Sequence, residues 1–383
     1  MPFNTIKDMK RIKGTAVLLL LTAFCASCIF FLLPALKKTE VKSTVIKPTV
    51  LTMWHVESFE GGVGSRAEWL KRRALEFEKK YPGVYVDVIK LTPSQLTDRI
   101  SEGRPFDLVS FGAGVGYGLL GRLLKLPQEE GVFDNLLRSG KVGGDFYALP
   151  YSSGGYILAC RSSDVVGKEY FSDLKSDFLK LSGSKTVGKN KVELKSVAVG
   201  GSLYCCPAFA LAMLNGESAQ DSAVYFQKDM TQYGAYEKFL QANTATVLAG
   251  SQRDYWRLSN RQQNGKIGEI IYATSGNYTD LTQYVGVGAS GDGYREELSK
   301  SFARYLVCEK SQKTLASVGM LSVADVGLYQ TEGIMGVLQS ELNGVECPSA
   351  FISTHNLQQA LADSLTSLKT GDKTLLKKYI VTS

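Results

Sequence analysis

A chain of 383 residues, 44% of them hydrophobic, is long enough to bury one large core or two ordinary ones. Its net charge of +7 overstates the basicity of the folded part. Lys7, Lys10, Arg11 and Lys13 against Asp8 give residues 1–36 a charge of +3, and the +4 left for the remainder is too dispersed to imply a nucleic-acid partner.

The chain opens with a basic flank, residues 1–14, followed by residues 15–36, which carry no charge and include Leu18 to Leu21 and Ile29 to Leu33. At a rise of about 1.5 Å per residue such a helix crosses a hydrocarbon core of about 30 Å. Positive charge on its N-terminal side places that flank in the cytoplasm and everything after Leu36 on the extracytoplasmic side of the cell membrane. Ala26, Ser27 and Cys28 resemble the end of a lipoprotein signal. The apolar run continues past Cys28 and the preceding residue is Cys25, so an uncleaved anchor is preferred over lipidation. Residues 37–49 read as a tether.

From Leu51 the pattern becomes that of a folded domain. Residues 51–54 form a short apolar strand that runs into His55, Val56, Glu57, Ser58 and Phe59. Ser65 with Glu68 has the spacing of a capping box, and Ala67, Leu70, Ala74, Phe77 and Tyr81 lie on one helical face. Pro82 and Gly83 end the helix. Val84, Val86 and Val88 alternate with polar residues as a half-buried strand, residues 93–102 read as a polar helix, and Leu108 to Phe111 as a third strand. Strand, helix, strand, helix, strand predicts an α/β fold with parallel pairing and right-handed crossovers, in which ligands bind beyond the carboxyl ends of the strands.

Glycine then occupies every second place from Gly112 to Gly118, a spacing that does not match a dinucleotide loop but suits close approach of backbone to a ligand. Residues 119–126 look helical, residues 146–151 extended, and Ser152 to Gly155 a natural hinge before a strand at 156–160. A second unit follows. Helices are expected at 171–181, 208–214 and 236–242, strands at 196–199, 245–249 and 269–273, and a polar aromatic loop at Gly250 to Trp256. Residues 281–288 read as extended, 296–308 as a helix, and Leu357, Leu361, Leu365 and Leu368 as one face of another. Beyond the membrane segment five cysteines remain, Cys160, Cys205, Cys206, Cys308 and Cys347. Their odd number and adjacent pair fit buried small hydrophobes better than disulfides, and no spacing suits a structural zinc site.

The order of these segments resembles family 1 extracellular solute-binding proteins, the maltose-binding-protein-like subunits of ABC importers. The resemblance is carried by Leu51 to His55, by Ala74 to Val88 with Phe77 to Gly83, by Pro105 to Val109, and by Tyr147 to Tyr151. It continues through Thr246 to Trp256, Ser301 to Val307, Lys310 to Leu315 and Gly319. It implies a two-lobed periplasmic-binding-protein-like α/β fold behind the N-terminal membrane helix. Residues 50–152 and 286–319 would form one lobe and residues 153–285 and 320–383 the other. The lobes would be joined by three crossings, near Tyr151 to Gly155, Gln283 to Gly286 and Gly319 to Ser322. It further implies a monomer that binds a carbohydrate-type ligand in the cleft, needs no cofactor or metal, and passes the ligand to ABC permease subunits.

An aromatic platform with polar groups around it suits the apolar face and hydroxyl rim of a sugar. The candidate ligand-binding residues are therefore Trp54, His55, Glu57, Phe111, Tyr151, Tyr204, Arg253, Asp254 and Trp256. Glu57 with Asp254 is the one pair that would suit a carbohydrate-active hydrolase, but a binding protein would use both as hydrogen-bond acceptors, and an enzyme is not expected. A third reading keeps the fold and has the lobes present ligand to a membrane sensor kinase.

Overall fold

In the computed structural model the described residues are 48–164, 184–187, 189–193, 196–214, 231–241, 245–330 and 333–381. The expected membrane segment and the helix expected at 171–181 lie outside them. Among the described residues no helix is long and apolar enough to cross a membrane.

Strand β1 (Thr49–Val56) is the centre of the first lobe, and its alternation sorts its side chains between two cores. Leu51 and Met53 join the core under helix α1 (Arg66–Lys80), while Trp54 and Val56 point to the opposite face with Phe106 and Leu119. Ala67, Leu70, Ala74 and Phe77 are buried along α1, as their spacing requires. Ser65 does sit at the N-cap, but its side chain makes no capping bond; the carboxylate of Glu60 instead accepts the Arg66 N–H at 2.9 Å. A reciprocal capping box is built one helix later, where Thr92 and Gln95 bond each other at the start of α2 (Pro93–Ser101).

Strands β2 (Val84–Leu91) and β3 (Leu108–Gly112) flank β1, both parallel to it. The segment expected to be helical after β3 is a 3-10 turn, Gly116–Arg122. The sheet is completed by β4 (Leu149–Ser152), after which the chain leaves for the second lobe. There β5 (Tyr156–Arg161), β6 (Val197–Val199), β7 (Val247–Ser251) and β8 (Ile270–Thr274) form a sheet in the order β6-β7-β5-β8. Helices α3 (Pro207–Leu214), α4 (Gln232–Leu240) and α5 (Gln252–Gln263) belong to this lobe. The chain returns as β9 (Gln283–Val287), which pairs antiparallel with β3 and β4 and gives the first sheet the order β2-β1-β3-β9-β4. Helix α6 (Gly293–Val307) packs on this sheet, and α7 (Thr354–Thr370) packs on α3 in the second lobe.

Three short segments therefore cross between the sheets: residues 153–155, 275–282 and 319–322. The second lies just before the position read from sequence, because from Gln283 onward the backbone is already committed to pairing with β3. Ser153 and Leu321 exchange backbone hydrogen bonds of 3.0 and 2.8 Å, which ties the first and third crossings together. Two buried glutamines add to this. Gln252 donates to the Gly319 carbonyl at 2.9 Å and accepts the Gly155 N–H. Gln312 donates to the carbonyls of Tyr151 and Leu306 and accepts from Ser322 Oγ and the Val323 N–H. Before α7 the chain also touches the first lobe: the Ala350 N–H donates to the Ser139 carbonyl at 2.8 Å, and Phe351 packs 5.8 Å from Phe111.

Candidate functional site between the lobes

The carboxyl ends of the parallel strands β1 and β3 point towards the second lobe, and those of β6 and β7 towards the first. The loops at these ends meet in a seam. A Cβ placed on Gly62, after β1, would lie 3.0 Å from the Arg253 Cα at the start of α5. A Cβ on Gly114, after β3, would lie 2.3 Å from a methyl of Leu357 on α7 and 3.7 Å from the Tyr204 ring, and the Thr354 hydroxyl donates to the Gly114 carbonyl at 2.9 Å. Of the alternating glycines, Gly114 brings backbone close to the facing lobe, whereas Gly112 lies against Ser58 and Gln283, Gly116 against Phe111 and the Ala350 carbonyl, and Gly118 near Ile100.

The nine candidates divide sharply. Tyr204, Arg253 and Trp256 lie on the seam, half-buried, with Trp256 Nε1 beside Gly319. The others are placed differently. Trp54 is fully buried, its ring 4.7 Å from Phe106 with the Arg99 guanidinium 5.6 Å from its centre, because strand alternation turns it into the core. Phe111 is enclosed by Tyr284 and Phe351. Tyr151 is fully buried, stacked 5.8 Å from Trp69, and its hydroxyl lies 2.8 Å from Ser110 Oγ. His55 is in register with Ser110 and hydrogen-bonds its Oγ through Nδ1 at 3.0 Å. Burial first, then the nearby Arg66 and Lys90 charges, holds its pKa well below the usual histidine value, so the ring is neutral.

The two carboxylates have structural partners of their own. Glu57 forms a 2.7 Å ion pair with Lys90 at the surface of the first lobe. Asp254 is fully buried at the start of α5, where it accepts the Ser251 N–H at 2.9 Å and the Gln232 amide at 2.8 Å. What was read from sequence as a ligand-facing loop is the first turn of a helix, and Asp254 caps it.

Next to Trp256 the seam opens into a depression of about 610 Å³ to which both lobes contribute, with Gly62 and Val63 from one side and Tyr233, Tyr236 and Trp256 from the other. Arg257 lies 5.5 Å from each of the two tyrosine rings, and Glu237, Asn260 and Lys266 complete a polar rim. Tyr233 and Tyr236 were not singled out from sequence. Their place in a helix with ordinary amphipathic spacing gave no signal that one flank of it faces the other lobe. Among the described residues no group of three His, Cys, Asp or Glu could hold a metal ion.

Beneath the seam, Asp280 in the second crossing is buried; the Tyr156 hydroxyl donates to it and in turn accepts the Cys206 N–H at 2.6 Å. Burial raises the Asp280 pKa to about 6, with the Tyr156 bond opposing. The folded state therefore holds this proton more tightly than the unfolded chain, so its contribution to stability is present below about pH 4 and is lost as pH rises through about 6. Asp280→Asn keeps an acceptor for Tyr156 without the buried charge. It is expected to be more stable than wild type by about 3 kcal/mol at pH 7.5 and to lose that advantage near pH 4 in urea titrations. A difference independent of pH would contradict this assignment. Burial also keeps nearby Cys206 protonated, its thiol pushed up to about 12.

No protein-family model matches the chain, and no curated protein matches it in sequence. Solved structures do match its fold. Maltose-bound MalE3 of T. maritima is 13% identical with a TM-score of 0.56, over 86% of this chain and 99% of that one. A family 1 extracellular solute-binding protein from Bifidobacterium longum subsp. infantis is 13% identical with a TM-score of 0.59, over 87% and 97%. An enzyme shares the architecture too: thiaminase I from Bacillus thiaminolyticus is 15% identical with a TM-score of 0.53, over 83% and 98%. Two mixed sheets, three crossings and a seam at the strand ends, matched over nearly the whole length of these structures, give this chain the two-lobed α/β fold of family 1 extracellular solute-binding proteins.

Proposed function

We propose that the chain is an extracytoplasmic solute-binding protein, held at the membrane by residues 15–36, that captures a carbohydrate-type ligand between its lobes and delivers it to ABC permease subunits. The observation that carries this reading is the depression shared by both lobes, with aromatic rings on one side, cationic, amide and carboxylate groups on its rim, and glycine backbone opposite. Such a lining offers stacking for the C–H face of a sugar and hydrogen-bonding groups for its hydroxyls. Solved proteins of this fold include complexes with maltose, acarbose and mannotriose, which makes oligosaccharides the first ligands to try. A ligand that touches both lobes favours their closed arrangement, and closure is what a permease can recognise; no bond needs to break.

The test is a thermal-shift screen of the full chain against maltose, maltotriose, mannotriose and acarbose, with mass spectrometry of the recovered ligand. A concentration-dependent rise in Tm with ligand recovered intact is expected. Cleaved ligand would replace the reading by an enzymatic one, and no shift with any of the four would remove the carbohydrate assignment.

A further inference from the structure

The least explained group in the first lobe is Arg66. It is the first residue of α1, a helix of 15 residues, and it is 0% exposed. None of its three guanidinium nitrogens has a hydrogen-bond partner among the described residues. The carboxylate of Glu60 accepts the backbone N–H of Arg66 at 2.9 Å and so stands beside the residue, but it makes no hydrogen bond with the guanidinium. A guanidinium does not shed its proton to escape this situation, and a buried guanidinium whose N–H groups find no acceptor is costly even with a carboxylate nearby.

A second buried donor stands close by. Trp69, one turn along α1 from Arg66, stacks 5.8 Å from Tyr151, which places the start of α1 against Tyr151, and the charges of both Arg66 and Glu60 reach its hydroxyl. His55 Nδ1 bonds Ser110, Ser110 bonds Tyr151, and His55 Nε2 has no partner among the described residues. One polarity satisfies this chain: Tyr151 donates to Ser110, Ser110 donates to Nδ1, and the proton of the neutral ring then sits on Nε2. An unpartnered guanidinium and an unpartnered N–H therefore stand at the end of β1, beside a helix N-terminus that the Glu60 carboxylate already caps.

We propose that Arg66 and His55 form an oxyanion-binding site, taking a phosphate, sulfate or carboxylate either as a free anion or as a substituent of the captured solute. The second case rests on the solute-binding reading and narrows it to acidic sugars; the first does not depend on it. The planar fork of Arg66 suits bidentate recognition of such a group, and His55 Nε2 adds a third donor. Sequence gave no hint of this role, because Arg66 reads as an ordinary residue of a helix start.

The test is the unfolding midpoint of the full chain in chloride at constant ionic strength, with added inorganic phosphate, sulfate, glucose 6-phosphate, glucuronate or glucose. Phosphate or sulfate is expected to raise Tm by about 2–5 °C at millimolar concentration. Glucose 6-phosphate acting no better than phosphate assigns a free anion. Glucose 6-phosphate or glucuronate acting well beyond both phosphate and glucose assigns an acidic solute. Arg66→Met, similar in length and uncharged, is expected to fold with an unchanged or higher Tm without added anion, to lose the anion response, and to keep any response to neutral oligosaccharide. Arg66→Lys keeps the charge without the fork and is expected to respond more weakly than wild type. Wild-type chain indifferent to all four anionic probes overturns the proposal, whether or not neutral sugars bind. So does an anion response that survives in Arg66→Met.

Discussion

Gly114→Ala is expected to weaken ligand capture at least tenfold, and Leu357→Ala in the same chain to restore most of it. The physical reason is a contact across the seam. A Cβ at position 114 would lie 2.3 Å from a Leu357 methyl, and Leu357 is buried on α7, so its side chain must turn within a packed seam or the seam must widen. About 1.4 kcal/mol against the closed arrangement lowers affinity tenfold, because the ligand must supply that difference when it draws the lobes together. Alanine also strains the backbone, since Gly114 has φ of +86°, at a cost of about 1–2 kcal/mol. Trimming Leu357 does nothing for that local strain. Rescue of affinity by the double variant, measured by calorimetry, therefore isolates the wedge between lobes. Absence of rescue would show that the damage is confined to the turn.

The largest loss of stability is expected from Gln312→Leu. The Gln312 amide is fully buried and makes four hydrogen bonds, donating at 2.8 Å to both the Tyr151 and Leu306 carbonyls and accepting at 2.9 Å from Ser322 Oγ and 3.0 Å from the Val323 N–H. Leucine fills the same space and leaves these groups with one partner fewer. An unsatisfied buried polar group costs about 1–3 kcal/mol, and since some of the four keep other bonds, a total of about 3–5 kcal/mol is reasonable. For a unit of this size that corresponds to a fall in Tm of about 4–7 °C. The first and third crossings are the segments joined, so their amides should also exchange faster with solvent. A loss below about 1 kcal/mol by urea titration would mean that the crossings hold without this residue.

How much of this was legible in the sequence differs by kind of feature. The period of α1 and the alternation of β2 read directly, because each buries one face and leaves the other in water. So did the order of strands, from which parallel pairing of β1, β2 and β3 follows. Trp54 shows the limit. Alternation places it opposite Leu51 and Met53, but not which of two cores lies on that side, and its position near a strand end suggested a ligand platform where there is packing. Asp254 shows another: an acidic residue three places after Ser251 is a capping pattern as readily as a ligand-facing carboxylate, and the structure makes it the cap. Arg66, Tyr233 and Gln312 gave no local signal. Their roles come from residues distant in the chain, such as Tyr151, whose carbonyl Gln312 bonds, and the Gly62 loop, which lines the same depression as Tyr233.

The measurement closest to the central claim is hydrogen exchange of the full chain with and without the best ligand from the thermal screen. A solute gripped by both lobes is expected to slow exchange together in residues 57–64 and 112–118 of the first lobe and in residues 200–206 and 250–257 of the second. Protection confined to one lobe, with the other unchanged at saturating ligand, would contradict capture between the lobes.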